Sequence, residues 1–279
     1  MLFSLANPPM VKRLLNSALV FLSVCFVINL LVNGLVFIYY EVIGVPSTWL
    51  FHWVPIEEDI KVGWTPRLVY LLCLIEPLIC IGLCLTTTLM LFVQGKRKPW
   101  KRLILIWVSI ISASWFCGSF VVALFFTDFS IGTLYLWNRI DSQVTHFIFA
   151  LLVMPIMVYL GYFHSDQFLR LASSNYWLVS RKRRVRFIAI VGLAAALIGI
   201  AIFEVLVLTI DEHNKKFSLV YLIRNGTSLV AIFSAMVFAY RKSKISISKY
   251  TGIEDLKPTY YTATLVILAA IFAVLSSGI

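Results

Sequence analysis

An all-α bundle of about seven membrane-spanning helices is the fold this sequence predicts, and three observations carry it. Of the 279 residues, 61% are hydrophobic and only 13% charged, whereas a soluble domain is about half apolar and about a quarter charged. The apolar residues come in blocks long enough to cross a bilayer, because about 20 residues rising about 1.5 Å each match a hydrocarbon core of about 30 Å. The charged residues fall in short stretches between those blocks, divided unequally between alternate stretches. Uninterrupted apolar runs favour helices over a barrel, whose strands would alternate in character.

The seven blocks run over residues 14–40, 68–93, 103–126, 144–163, 187–210, 217–240 and 260–278. The first follows Lys12 and Arg13 as a signal peptide would, but it is too long for that role and no small-residue cleavage site follows, so it is expected to remain as a span. No composition shift or internal repeat divides the chain, which reads as a single transmembrane domain over residues 1–279. All five cysteines, Cys25, Cys73, Cys80, Cys84 and Cys117, lie inside apolar blocks, where a thiol behaves as a small hydrophobe and a disulfide framework is not expected.

Orientation follows from lysine and arginine. The N-terminal segment carries two, and the second, fourth and sixth connections carry five, six and five, which makes 18 on one side. The first, third and fifth connections carry two, one and two, which makes five on the other side, and Arg224 is left inside a span. The rich side is predicted to be cytoplasmic, with the N-terminus inside and the C-terminus outside, most simply in a plasma membrane. The net charge of +11 is accounted for by that basic face, so nucleic acid is not an expected partner. The densest run, Arg181, Lys182, Arg183, Arg184 and Arg186, follows Phe168, Leu171, Tyr176 and Trp177 and reads as an interfacial segment attracted to anionic lipid. Outside, Trp49, Phe51, Trp53 and Trp64, and then Tyr135 and Trp137, suit the headgroup layer as anchors or a partial lid.

Charges within spans carry the functional signal, since each costs about 2.5 to 3.5 kcal/mol near the bilayer centre and must face protein or water. Glu76, Glu204 and Arg224 lie eight, six and seven residues from the outer ends of their blocks, which places them at depths of about 12, 9 and 10 Å. Asn33 and Asn225 share that layer. Spans five and six are joined by a short connection and should be antiparallel neighbours, so Glu204 is expected to pair with Arg224, leaving Glu76 beside Pro77 as the surplus carboxylate. Glu76, Glu204, Arg224, Asn33 and Asn225 therefore form the predicted ligand-binding set, suited to a proton, a cation or a small polar or zwitterionic solute.

Other patterns give less. Cys73, Glu76, Cys80 and Cys84 stack on one helix face but climb too far along the axis to hold one tetrahedral ion, so no metal or other cofactor is predicted there. His52, His146 and His213 fall in outer connections, and His164 with Asp166 reads as a solvated helix end. Asn225, Gly226 and Thr227 match a glycosylation acceptor, but inside a span. Ser114 with Gly118, and Gly192 with Ala196, have the four-residue spacing of close helix packing. No complete catalytic motif occurs, which leans against an enzyme. Transport or channel activity is the leading expectation. A non-catalytic receptor or assembly subunit that recognises a protein or lipid through the outer aromatic loops is the rival, and a lipid-modifying enzyme comes third.

The 18 to five division of basic residues predicts that cysteines introduced near Lys98, Arg183 and Lys244 are shielded from a membrane-impermeant reagent in intact cells, whereas those near Glu58, Asn138 and Asn214 are labelled. External labelling at Lys98 or Arg183 would invert the map.

Overall fold

In the computed structural model, residues 8–45, 47, 65–93, 99–172, 174, 176–210 and 215–241 are described. Their elements are all helical: α1 (Pro8–Val42), α2 (Pro66–Val93), α3 (Pro99–Val122), α4 (Ile131–Trp137), α5 (Gln143–Leu169), α6 (Tyr176–Val179), α7 (Arg181–Ile188), a π-helical segment (Ala189–Ala194), α8 (Ala195–Ile210) and α9 (Lys215–Arg241). Six helices are long and apolar enough to cross a membrane, with α7, the π segment and most of α8 forming one of them. They match the first six predicted blocks, and the chain is a polytopic helical membrane protein. The predicted seventh span, 260–278, lies outside the described residues, as do the outer aromatic residues Trp49, Phe51, Trp53 and Trp64.

Helix α3 stands in the middle, packed against α1, α2, α5 and α9. Its composition explains why. Lipid is as apolar as leucine, so helices associate where small side chains let backbones approach, and α3 buries Ser109, Ser112, Ala113, Ser114, Gly118 and Ser119. Two of the serines return their hydroxyls to the helix backbone, Ser114 to Ile111 O and Ser119 to Trp115 O, each at 2.8 Å. Helices α2 and α5 instead show much of their surface outward through Leu78, Leu85, Leu89, Phe147, Leu151 and Leu152, as lipid-facing helices should.

The small-residue spacings serve the packing expected of them. A Cβ on Gly118 would lie 2.8 Å from the Arg224 Cα, and one on Gly192 would lie 3.2 Å from Ile232 Cγ2. The π segment faces α1, where Ser17 donates to the Val191 carbonyl at 2.6 Å and accepts from Trp107 Nε1 at 3.2 Å. A widened turn presents backbone carbonyls that a neighbouring hydroxyl can satisfy inside a membrane.

Two expectations at the inner side are corrected. The polybasic run does not precede the fifth span but begins it, with the Ser180 side chain capping α7 by accepting from the Arg183 amide at 3.3 Å. Arg181, Lys182 and Arg186 are exposed, but Arg184 is buried and donates to the carbonyls of Ala239 and Leu178, each at 3.0 Å. It ties α7 to the end of α9 rather than facing headgroups. Phe168 and Leu171 are likewise core residues and not interfacial ones.

A close backbone approach of α5 to α9 is tested at Gly161, where an added Cβ would meet the Ala231 carbonyl oxygen at 2.3 Å, while Gly82 has nothing within 4 Å. Gly161→Ala is expected to lower stability by about 1 to 3 kcal/mol through forced separation of α5 and α9, and Gly82→Ala to leave it unchanged or raised. Thermal unfolding of the two purified variants in one detergent makes the comparison.

Candidate functional site

Five helices bring polar side chains to one level in the outer half of the bundle. Helix α9 supplies most of them. Ser218, Tyr221 and Asn225 follow steps of three and four and share one face, whereas Arg224 points about 120° away from Ser218 around the helix. That difference in direction gives Arg224 and Ser218 different partners.

The Arg224 guanidinium grips Glu76 on α2 with both terminal nitrogens: Nη1 donates to Oε1, and Nη2 donates to Oε2 at 3.2 Å. Such a fork is the strongest geometry open to an arginine and a carboxylate. The pair is held off the hydrocarbon, with 8% of the Arg224 side chain and 19% of the Glu76 side chain exposed. Gly118 on α3 lets the α9 backbone come close enough for the arginine to reach α2, and the guanidinium lies 5.7 Å from the centre of the Trp115 ring. The Glu76 side of the contact is shaped by Pro77. Proline lacks an amide hydrogen, so the carbonyl four residues earlier, that of Cys73, loses its helical donor. Ser130, just before α4, supplies one at 3.0 Å.

The expected pairing of Glu204 with Arg224 is therefore corrected. Glu204, on α8, is met by the Ser218 face of α9 and accepts from Ser218 Oγ at 3.0 Å through Oε2. It is the surplus carboxylate, in place of Glu76, and its charge is matched by no cation among the described residues. Its other oxygen, Oε1, and Asn225 Nδ2 lie within reach of each other but form no hydrogen bond of ordinary geometry, and Arg224 Nε is buried without a partner. Arg224 Nε is thus the donor left unused at this level.

Neutral groups link the two carboxylate sites. Tyr221 OH donates to Asn29 Oδ1 at 2.8 Å, and Asn33 Nδ2 donates to the same oxygen at 3.1 Å. Trp115 Nε1 donates to Asn225 Oδ1 at 3.0 Å, and the Trp115 and Tyr221 rings lie 5.6 Å apart. All five predicted site residues thus belong to one connected layer, together with Asn29, Trp115, Ser218 and Tyr221. Three of those four carried a usable signal: Asn29 precedes Asn33 by one helical turn, and Ser218 and Tyr221 share a face with Asn225. Trp115 sits in the serine-rich centre of α3 and had no such mark.

The histidine expectations change. His164 is fully buried, not solvated, with Nε2 within 3.0 Å of Ser109 Oγ. Ser109 Oγ is in turn 2.8 Å from Thr88 Oγ1, which makes a small inner polar contact between α2, α3 and α5. His146 is also buried, bonded to the Ile140 carbonyl at 2.7 Å and stacked on Tyr135 with ring centres 4.3 Å apart. Tyr135 packs inward instead of lying among headgroups, and burial pushes its hydroxyl up to about 12, so it stays a neutral phenol. His52 and His213 lie outside the described residues. Among the described residues no three His, Cys, Asp or Glu side chains are grouped as metal ligands, and all five cysteines are free thiols.

Compared with protein-family models, curated proteins and solved structures, the chain gives no match in any of the three.

The Trp115 contact can be tested alone. Trp115→Phe keeps a ring beside Arg224 but withdraws the donor from buried Asn225 Oδ1, and is expected to cost about 1 to 3 kcal/mol, the penalty of an orphaned buried acceptor. Thermal unfolding should show the loss, and adding Asn225→Leu should return part of it, since neither polar partner then remains.

Proposed function

We propose that this membrane protein is of transport or channel type and that the outer-half polar layer is where it binds a proton, a cation or a small polar solute. The observation that carries this reading is Glu204. An ion pair is enough to fix helix register, but Glu204 adds a carboxylate with no cation among the described residues, met only by the neutral Ser218 and Asn225 side chains. A carboxylate in such surroundings must be neutralised by a proton or by a bound positive group, and either is exchangeable. Intramembrane ionisable groups beside further polar side chains mark solute and proton pathways. The side chains converge from α1, α2, α3, α8 and α9, and a ligand site between helices of a bundle has this arrangement.

The rival, a receptor or assembly subunit, draws support from the closed fork between Arg224 and Glu76, which alone would serve as a structural clamp. It assigns Glu204 no task. Glu204→Gln separates the two, because glutamine keeps the volume and can accept from Ser218 but does not titrate. Transport predicts that pH-dependent uptake or ligand-dependent thermal stabilisation is lost while the variant remains folded. Unchanged activity and pH dependence would favour the subunit.

A further inference from the structure

We infer that the ligand carries a carboxylate, and that this carboxylate takes the place of Glu76 on Arg224 while Glu76 takes up a proton. The inference rests on the transport reading and specifies the ligand class of the same layer.

The donors point to an anion. Among the described residues, Arg224 is the cation of the outer polar layer, and its fork already holds a carboxylate, so a ligand carboxylate would replace like with like. One more donor of the same guanidinium, Arg224 Nε, is buried without an acceptor. Glu76 gives both oxygens to the two terminal nitrogens and leaves Nε unused, whereas a ligand carboxylate, not anchored on α2, is free to shift along the guanidinium edge toward Nε. Glu76 is the more exposed side of the pair. A cation or an amine would instead meet the guanidinium as a like charge.

Charge balance then couples the ligand to a proton. One guanidinium neutralises one carboxylate. If the ligand carboxylate sits on Arg224 and Glu76 stays ionised, the layer holds an extra negative charge beside that of any ionised Glu204. With a proton from solution on Glu76, the balance is restored. The titratable groups that sense the Glu76 charge are Arg224 and Tyr221 on α9, Tyr40 on α1 and Cys80 on α2 itself. Helix α3 contributes Trp115 and Gly118, which are uncharged. The two phenols and the thiol give no ordinary means of charge compensation at neutral pH. Of the layer's two carboxylates, Glu76 is the one that loses its guanidinium to the ligand, which assigns it the proton, and Glu204 on α8 is the alternative acceptor that Glu76→Gln distinguishes. Carboxylate binding therefore brings one proton with it, and the apparent Kd should rise with pH, by up to about tenfold per unit.

The experiment uses the purified full chain in detergent, with acetate and alanine as carboxylate probes and acetamide and ethylammonium as neutral and cationic ones. Thermal stabilisation and calorimetry in two buffers of different ionisation enthalpy give affinity and protons exchanged. The inference expects stabilisation by the carboxylates, about one proton taken up per ligand, and loss of both proton uptake and pH dependence in Glu76→Gln, with carboxylate affinity kept or raised. Arg224→Lys should lose carboxylate binding, and Glu76→Gln decides the matter if that variant does not fold. Stabilisation by acetamide or ethylammonium but by neither carboxylate would overturn the inference and leave the transport reading standing. Proton uptake that persists in Glu76→Gln would also overturn it. Stabilisation by none of the probes, with no pH-dependent uptake of any solute, would remove both.

Discussion

Lipid cannot solvate a guanidinium, and the fork between Arg224 and Glu76 is the constraint on which the outer half of the bundle depends. Both α2 and α9 pack along α3, so the two side chains meet only because α3 presents Gly118 to the Arg224 backbone and the Trp115 ring to the guanidinium. A larger residue at 118 would push α9 away, and a leucine at 76 would leave a buried charge unmatched. The same approach sets the neighbouring contacts, with Thr227 donating to the Ser114 carbonyl at 2.9 Å one turn further in. Helix register, small-residue packing and charge compensation are here a single arrangement.

What distinguishes this layer from a simple clamp is the remainder after the pair is made. A buried ion pair with every hydrogen bond satisfied would be the quietest structural solution. Instead, Arg224 Nε is left without a partner, and Glu204 Oε1 and Asn225 Nδ2 lie within reach of each other without a hydrogen bond of ordinary geometry. Native proteins leave few such groups, and those left call for an explanation. A site that alternates between an internal carboxylate and one brought by a ligand gives them an occupant. The inner contact of His164, Ser109 and Thr88 lies on the same α2 and α3 seam, further from the outer surface, and shows that the seam stays polar at two levels.

The spans were legible because they follow from length and composition: six apolar blocks became six helices with ends shifted by a few residues. Depth was legible too, since a helix rises by a constant amount per residue, and that is why Glu76, Glu204, Arg224, Asn33 and Asn225 fall in one layer. Partner choice was not, because depth says nothing about direction around the axis. Chain adjacency of α8 and α9 suggested Glu204 for Arg224. The 120° between Ser218 and Arg224 turns one toward α8 and the other toward α2, and only with helix neighbours known does that angle select between carboxylates. His164 failed for a related reason: its place near a block's end suggested solvent, but α5 extends to Leu169 and packs on α3, α7 and α9. The inward turn of Arg184 was masked by its four basic neighbours.

The pairing itself is open to direct measurement by two double-mutant cycles on Arg224→Leu, one with Glu76→Leu and one with Glu204→Leu, read by thermal or denaturant unfolding in detergent. Stranding one partner of a buried pair costs about 3 to 5 kcal/mol, and removing both restores much of it. A large coupling between Arg224 and Glu76, with near-additive losses for Arg224 and Glu204, is the predicted result. Strong coupling of Arg224 to Glu204 with additivity to Glu76 would contradict the account at its base.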